Sequence, residues 1–432
     1  MKPHIKLTLK EGVSHHPLPD WKAVAQGKAM AQTHFTPGVD RLLDHYHRPV
    51  QATQEYLSAG KQWDKDELAT GLDRVYRLIL AQNTDIPPDL IRDISLLPEV
   101  ESVVPGQVAT TDLPVVRANS LSLETDQKSR QAIYLPEAHD YSQGDAQITV
   151  AVLDTGIDLD HPELTDVLLP GYDFVDIVDG TGQFVGDYLG YDEDPEDEVG
   201  HGTHVAGIIA GQGIEMPLGV VPHCKILPVR VLGAMKRGSK KVGAGLVDNI
   251  NAGIKWAIDH GADVINMSLG IQHGGGGLPH QEVVDYARRK GVSIVAASGN
   301  DGQEQLYYPG ALPYVIAVGA LDESGEITSF STYGKQVDFA APGTDIYSTY
   351  IGNDYGFSTG TSHASPFVAG AIALLKSYAL QKHAVKLSDR QVKHLLKHTA
   401  DKLDQRFKHA KAGFGKINLL DALRLLEHRL SQ

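Results

Sequence analysis

Cysteine is almost missing from this chain: Cys224 is the single one in 432 residues. No disulfide can close within it and no thiolate cluster can hold a metal, so stability has to come from a packed core. Cys224 itself precedes the strand-like run Ile226 to Val231 and reads as a small buried residue. Long apolar runs are missing too. No stretch reaches the ~18 residues of a membrane span, and Met1 to Lys10 lacks the uninterrupted apolar segment of a secretory signal. The expectation is a cytoplasmic protein without a membrane partner, with secretion by another route as the alternative. Positive charge is in deficit, with 39 Lys and Arg against 54 Asp and Glu, a net charge of −15. Nucleic acid is therefore excluded as a partner, because phosphate contacts need a basic surface. The chain also lacks internal repeats and low-complexity tracts.

What it does carry is three short stretches that hold an acid, an imidazole and a hydroxyl: Val152 to Gly156, His201 to His204, and Gly360 to Pro366. Asp154 ends the apolar run Ile148 to Leu153, which reads as a strand buried on both faces. Catalytic groups in open parallel sheets gather at the carboxyl ends of such strands. His201 opens a helix that runs to Gly211. Ser362 precedes Pro366 and the apolar run Phe367 to Leu375, so it falls at a helix N-terminus, with the proline expected in the first turn. There, free N–H groups and the helix dipole favour developing negative charge. A serine hydroxyl is a weak nucleophile until an imidazole takes its proton and a carboxylate holds that imidazole in one tautomer. The three stretches supply those three groups.

With these stretches the chain resembles the subtilisin-like serine proteases, and the likeness extends over residues 125 to 432. The resemblance implies that Asp154, His201 and Ser362 form the triad and that Asn300, in Ala297-Ser298-Gly299-Asn300, completes an oxyanion hole. It implies a substrate bound as an added strand, against Ser268, Leu269 and Gly270 on one side and Gly243 to Gly245 on the other, with Ala297 and Gly299 lining the groove. Main-chain pairing would give affinity there and side-chain pockets choice. Tyr307 falls where many relatives keep a small residue at the floor of the first specificity pocket. His363 follows the nucleophile where relatives commonly carry methionine; peroxide tolerance is one expectation and a simple packing change the other. The acidic run Asp192 to Glu198 suits a Ca²⁺ site through Asp192, Asp194 and Asp197, or else is a solvated charge run. The Asn-rich calcium loop that follows the histidine helix in the family is replaced here by Gly211 to Pro217.

Strand candidates from residue 148 onward are Ile148 to Leu153, Ile226 to Val231, Asp263 to Met267, Val292 to Ala297 and Tyr314 to Gly319, with helices expected over Ala244 to His260 and Leu278 to Lys290. This alternation predicts an α/β fold, a mainly parallel sheet with helices on both faces. The basic stretch Lys236 to Lys241 reads as an inserted solvated loop or as an attractor of acidic substrate residues. Before residue 120 the pattern is different, with strands at Ile5 to Leu9, Leu72 to Leu80 and Val100 to Val104 and a helix over Pro87 to Leu97: a small α+β unit. Its Leu96 to Val103 segment resembles the end of a subtilisin-type propeptide, which implies a folding aid and intramolecular inhibitor; an unrelated interaction domain is the alternative. Residues 109 to 130 read as a connection. The expected division is 1–120 for the propeptide-like unit and 121–432 for the catalytic domain.

Three functions are compatible with a chain of this composition. The leading one is a serine endopeptidase made as a zymogen, acting on protein or peptide without a catalytic cofactor. The second is a catalytically silent binding protein of the same fold, disfavoured by the intact set Asp154, His201, Ser362 and Asn300. The third, a nucleotide-binding α/β enzyme, fails because Gly211-Gln212-Gly213 lacks the further glycine and the strand-to-helix setting of a dinucleotide fingerprint.

Overall fold

The computed structural model describes the whole chain except residues 1, 2, 14, 31, 113–122, 176–183, 186–191, 238–239 and 273–277. The 120/121 boundary and part of the basic stretch lie outside the described residues.

Near the N-terminus, four antiparallel strands form one sheet in the order Val50–Gln54, Val75–Leu80, His4–Leu9, Val100–Pro105. Alternation along His4–Leu9 sends Ile5, Leu7 and Leu9 to one face, where they meet Val39 and Leu43 of helix Pro37–His45 and Leu90 and Ile94 of helix Pro88–Ser95. Both helices start at prolines, whose missing N–H costs nothing in a first turn, and Thr36 caps the first by accepting the Val39 N–H. Each of these apolar side chains contributes about 1.5–3 kcal/mol by leaving water. The expected strand at Leu72 begins only at Val75, after a 3₁₀ turn at Leu72–Arg74. All six residues of Val75–Leu80 are buried, because the second face of this sheet is covered as well.

What covers it is the larger unit. Seven parallel strands lie in the order Val337–Pro342, Val315–Leu321, Ser293–Ala297, Val264–Met267, Thr149–Asp154, Lys225–Arg230, Tyr172–Asp173. Helices His201–Ala210, Thr361–His383, Asp389–Thr399 and Leu419–Leu430 pack one face of the sheet. Helices Val247–Asp259 and Gln281–Lys290 pack the other and present their far side to the N-terminal sheet. The α/β fold expected from the strand and helix alternation is the fold observed.

Three expectations about the segments between elements are corrected. The helix expected from Ala244 begins at Val247, because residues 240–246 are a strand instead. That strand, Lys240–Leu246, pairs antiparallel with Gly233–Arg237, so the described residues of the basic stretch, Lys236, Arg237, Lys240 and Lys241, are paired backbone. The supposed connection from residue 109 opens with a further strand, Val108–Asp112, hydrogen-bonded along Lys240–Leu246. Its short Val-Ala-Thr-Thr-Asp run has no hydrophobic alternation of its own, and its partner lies some 130 residues later in the chain.

Candidate active site

Asp154 is the last residue of the central strand Thr149–Asp154 and is fully buried. One carboxylate oxygen accepts the Thr155 N–H at 2.8 Å and the His201 Nδ1–H at 2.6 Å. This bond fixes the tautomer, leaving Nε2 as the basic nitrogen. His201 is the first residue of its helix. The helix can come this close because Gly202 has no Cβ; one would lie 2.0 Å from the Gly156 carbonyl oxygen.

Asp197 holds the start of that helix. One oxygen accepts the N–H groups of Val199 and Gly200, and the other accepts the N–H and hydroxyl of Thr203 at 3.0 and 2.7 Å. Burial pushes its carboxyl up against the pull of these bonds. A carboxylate here satisfies helix N-terminal donors and complements the dipole. Of the carboxylates expected to suit Ca²⁺, Asp192 and Asp194 turn oxygens onto the N–H groups two residues ahead, and Asp197 caps the helix. Among the described residues no three His, Cys, Asp or Glu side chains are arranged to hold a metal ion. In the Gly211 to Pro217 loop, the buried Glu163 carboxylate accepts the Gly213 and Glu215 N–H groups, both at 2.7 Å.

Ser362 is the second residue of helix Thr361–His383, so the expected helix N-terminus is found. Pro366 is not in the first turn, however, but inside the helix. A proline there leaves the carbonyl four residues back without its N–H partner. That carbonyl belongs to Ser362, and the Ser268 hydroxyl donates to it at 2.8 Å. Ser268 holds Ser362 a second time, its own carbonyl oxygen accepting the Ser362 Oγ–H at 3.3 Å. Sequence reading saw Ser268 only as a substrate wall; the pairing of Ser268 with an in-helix proline was the signal available.

Asn300 follows the neighbouring strand Ser293–Ala297. Its Oδ1 accepts the Thr361 N–H at 2.8 Å and the Thr361 hydroxyl at 3.0 Å. With the carbonyl end tied back, the amide NH₂ is the end left to donate to an oxyanion. Ser268, Leu269, Gly270, Ala297, Gly299, Asn300, Tyr307 and Ser362 line one cavity of about 140 Å³. Gly243 and Gly245 sit on the strand opposite, already paired with Thr111 and Ala109. Tyr307 spans the cavity. Its Cβ approaches Gly270, its ring edge lies where a Cβ on Gly299 would be 2.7 Å away, and its hydroxyl donates to Asp301 and accepts from Gln272 Nε2.

Behind the His201 imidazole are two more histidines. His363 packs edge-on to His204, ring centroids 4.6 Å apart, and 5.6 Å from His201, with Nε2 on the Ser358 hydroxyl at 2.7 Å. Burial lowers the pKa of both, His204 to about 3 and His363 well below the usual imidazole value. Both are therefore neutral beside His201, and they add no positive charge that would oppose its protonation.

Comparison with known proteins agrees with this geometry. The thermophilic serine proteinase of Bacillus sp. strain AK1 is 39% identical over 298 residues, 68% of this chain and 66% of the relative, just under two thirds of its length. The major intracellular serine protease of Bacillus subtilis strain 168 is 40% identical over 252 residues, 57% of this chain and 73% of the relative. Thermitase of Thermoactinomyces vulgaris is 38% identical over 278 residues, 63% of this chain and 88% of the relative. The sequence profile of the subtilase family, Peptidase_S8, matches residues 145–415, a range that includes Asp154, His201, Asn300 and Ser362. The chain thus belongs to the subtilase family of serine endopeptidases.

Proposed function

We propose that the protein is a serine endopeptidase made as a zymogen, in which Ser362 attacks a peptide carbonyl, His201 takes and returns the proton, and Asp154 steadies the imidazolium. The resting Ser362 Oγ lies on the Ser268 carbonyl, so attack begins with a rotation about its Cα–Cβ bond. Asn300 and the helix N-terminus at Ser362 then stabilise the oxyanion. No metal or other cofactor enters these steps.

Residues 1 to about 112 act, in this reading, as the intramolecular inhibitor, and the rest as the enzyme. The observation that carries it is the strand Val108–Asp112, which adds to Lys240–Leu246 as a substrate would and brings the Thr111 hydroxyl to 3.0 Å from the Ser268 carbonyl oxygen. Tyr307 occupies volume in the first pocket, so small or medium P1 side chains are favoured. The name of the intracellular Bacillus subtilis relative supports a cytoplasmic place of action. Replacing Ser362 by Ala tests the central claim: peptide hydrolysis should fall by about 10⁶-fold with the fold unchanged by circular dichroism. Retained hydrolysis would remove Ser362 from the mechanism.

A further inference from the structure

The strand in the groove stops beside the nucleophile, and where it stops names a bond. Ala109 lies opposite Gly245 and is fully buried in the core that includes Val231 and Leu232. Thr111, opposite Gly243, is buried too, and its hydroxyl and that of Ser362 donate to one and the same carbonyl oxygen, that of Ser268. Thr111 also lines the cavity shared by Asn300, Tyr307 and Ser362. Asp112 is the next residue, opposite Val242 at the end of the strand.

Resting on the serine peptidase reading, we propose that Ser362 cuts its own chain at the Thr111–Asp112 bond, making Asp112 the N-terminus of the released enzyme. The cavity chooses between the two neighbouring bonds. Among the described residues its wall includes the Asp301 carboxylate and no lysine or arginine. Cutting after Asp112 would seat a second carboxylate beside Asp301 with no cation to offset it. Cutting after Thr111 seats a compact neutral side chain, which also suits the volume left by the Tyr307 ring.

In this step Ser362 Oγ bonds to the Thr111 carbonyl carbon while its proton passes to His201 Nε2. The Thr111 C–Asp112 N bond then breaks, and the His201 proton goes to the Asp112 nitrogen as it leaves. Water attacks the resulting Thr111 ester and gives a proton to His201. Thr111 leaves as a carboxylic acid that ionises, and Ser362 recovers its proton. The product 1–111 keeps Ala109 and its pairing, so it remains an inhibitor until its docking on the two helices is undone.

Intact mass and N-terminal sequencing of the full-length protein after purification should give two fragments, 1–111 and a chain beginning Asp112-Leu113-Pro114. Thr111→Ser should process at the parent rate, and Thr111→Asp should slow by roughly tenfold or more. A new N-terminus at any other bond, Leu113 included, or parent-rate processing of Thr111→Asp, overturns the assignment. Identical fragments from Ser362→Ala also overturn it, since another protease would then be cutting. Peptide hydrolysis by the same preparations separates the two ideas. Activity with a cut elsewhere sinks only the bond, whereas inactivity of a folded, processed enzyme from which 1–111 has been removed sinks the peptidase reading beneath it.

Discussion

The N-terminal unit meets the catalytic unit in two places, and the two contacts are built on opposite principles. On the helices, recognition is by charge and by named side chains. His4 Nε2 lies 2.6 Å from Asp248, Lys6 Nζ 2.7 Å from Glu282, the Tyr56 hydroxyl donates to Glu282 at 2.9 Å, and Arg77 donates to Asn249 at 2.8 Å. Lys255 receives Glu67 in return at 2.7 Å. In the groove, recognition is by main chain: Val108–Asp112 pairs with a strand whose Gly243, Ala244 and Gly245 offer little but backbone. A protease groove has to accept many sequences, and backbone pairing is indifferent to most of them. A docking face has to accept one, and buried ion pairs reject whatever leaves a charge unpartnered. In the proposed reading, the molecule thus separates the affinity that holds the N-terminal unit in place from the contacts that every substrate shares.

The comparison breaks most readily at Lys6. Lys6→Met leaves Glu282 and Asp248 buried without their cation, a loss of about 3–5 kcal/mol in such pairs. Inhibition of the mature enzyme by residues 1–111 supplied in trans should weaken by roughly 10²- to 5 × 10³-fold, read as an inhibition constant. A change under threefold would mean that the helices contribute little to docking.

In the groove, side-chain choice should be confined to the cavity that Tyr307 fills. Overpacking a rigid site costs about 1–3 kcal/mol, so small P1 residues should be preferred over Phe and Tyr by roughly 10- to 100-fold. Tyr307→Gly should open cleavage after aromatic residues in a peptide-library profile. A parent enzyme that already prefers Phe, with Tyr307→Gly unchanged, would put the ring outside the pocket.

Acid should act on the docking face. Burial pushes the Asp248 carboxyl up, but Lys6 and the His4 hydrogen bond pull it further down, and it ends well below the usual carboxylate range. Glu282 is likewise raised by burial and lowered on balance by Lys6. Groups depressed in the docked state contribute binding that is complete above their ordinary values, 3.8 and 4.5, and is lost as pH falls through the docked ones. The inhibition constant should therefore be flat from neutrality to about pH 4.5 and rise below it. A rise beginning near neutrality would point to a different group.

The smallest effect belongs to the inhibitory strand itself. Val108 is half-buried, and Val108→Thr keeps every main-chain bond, so the inhibition constant should move by no more than about twofold, the ±0.5 kcal/mol of a neutral surface change. A larger loss would show side-chain reading where backbone reading is claimed.

How far this was legible in the sequence differs between the same two regions. The parallel sheet was readable, because buried strands such as Thr149–Asp154 are continuous apolar runs, and the proposed catalytic Asp154 stands at the end of one. The charged face was half readable: His4, Lys6 and Thr8 alternate with Ile5, Leu7 and Leu9, but nothing local says that Asp248 and Glu282 wait opposite. The groove strand was not readable, since pairing with residues 240–246 is non-local and Val108–Asp112 has no pattern that predicts it. The acidic run was ambiguous for a physical reason. A carboxylate that caps a helix and one that binds calcium look alike in sequence, and only the N–H groups around Asp197 tell them apart.

The central claim, an active serine blocked by the chain's own N-terminal unit, is tested most directly by labelling with a serine-directed fluorophosphonate. Released enzyme should take up one label, mapped by mass spectrometry to Ser362, and added residues 1–111 should suppress that labelling in proportion to occupancy. Labelling elsewhere, no labelling of folded enzyme, or labelling of Ser362 unaffected by saturating 1–111 would contradict it.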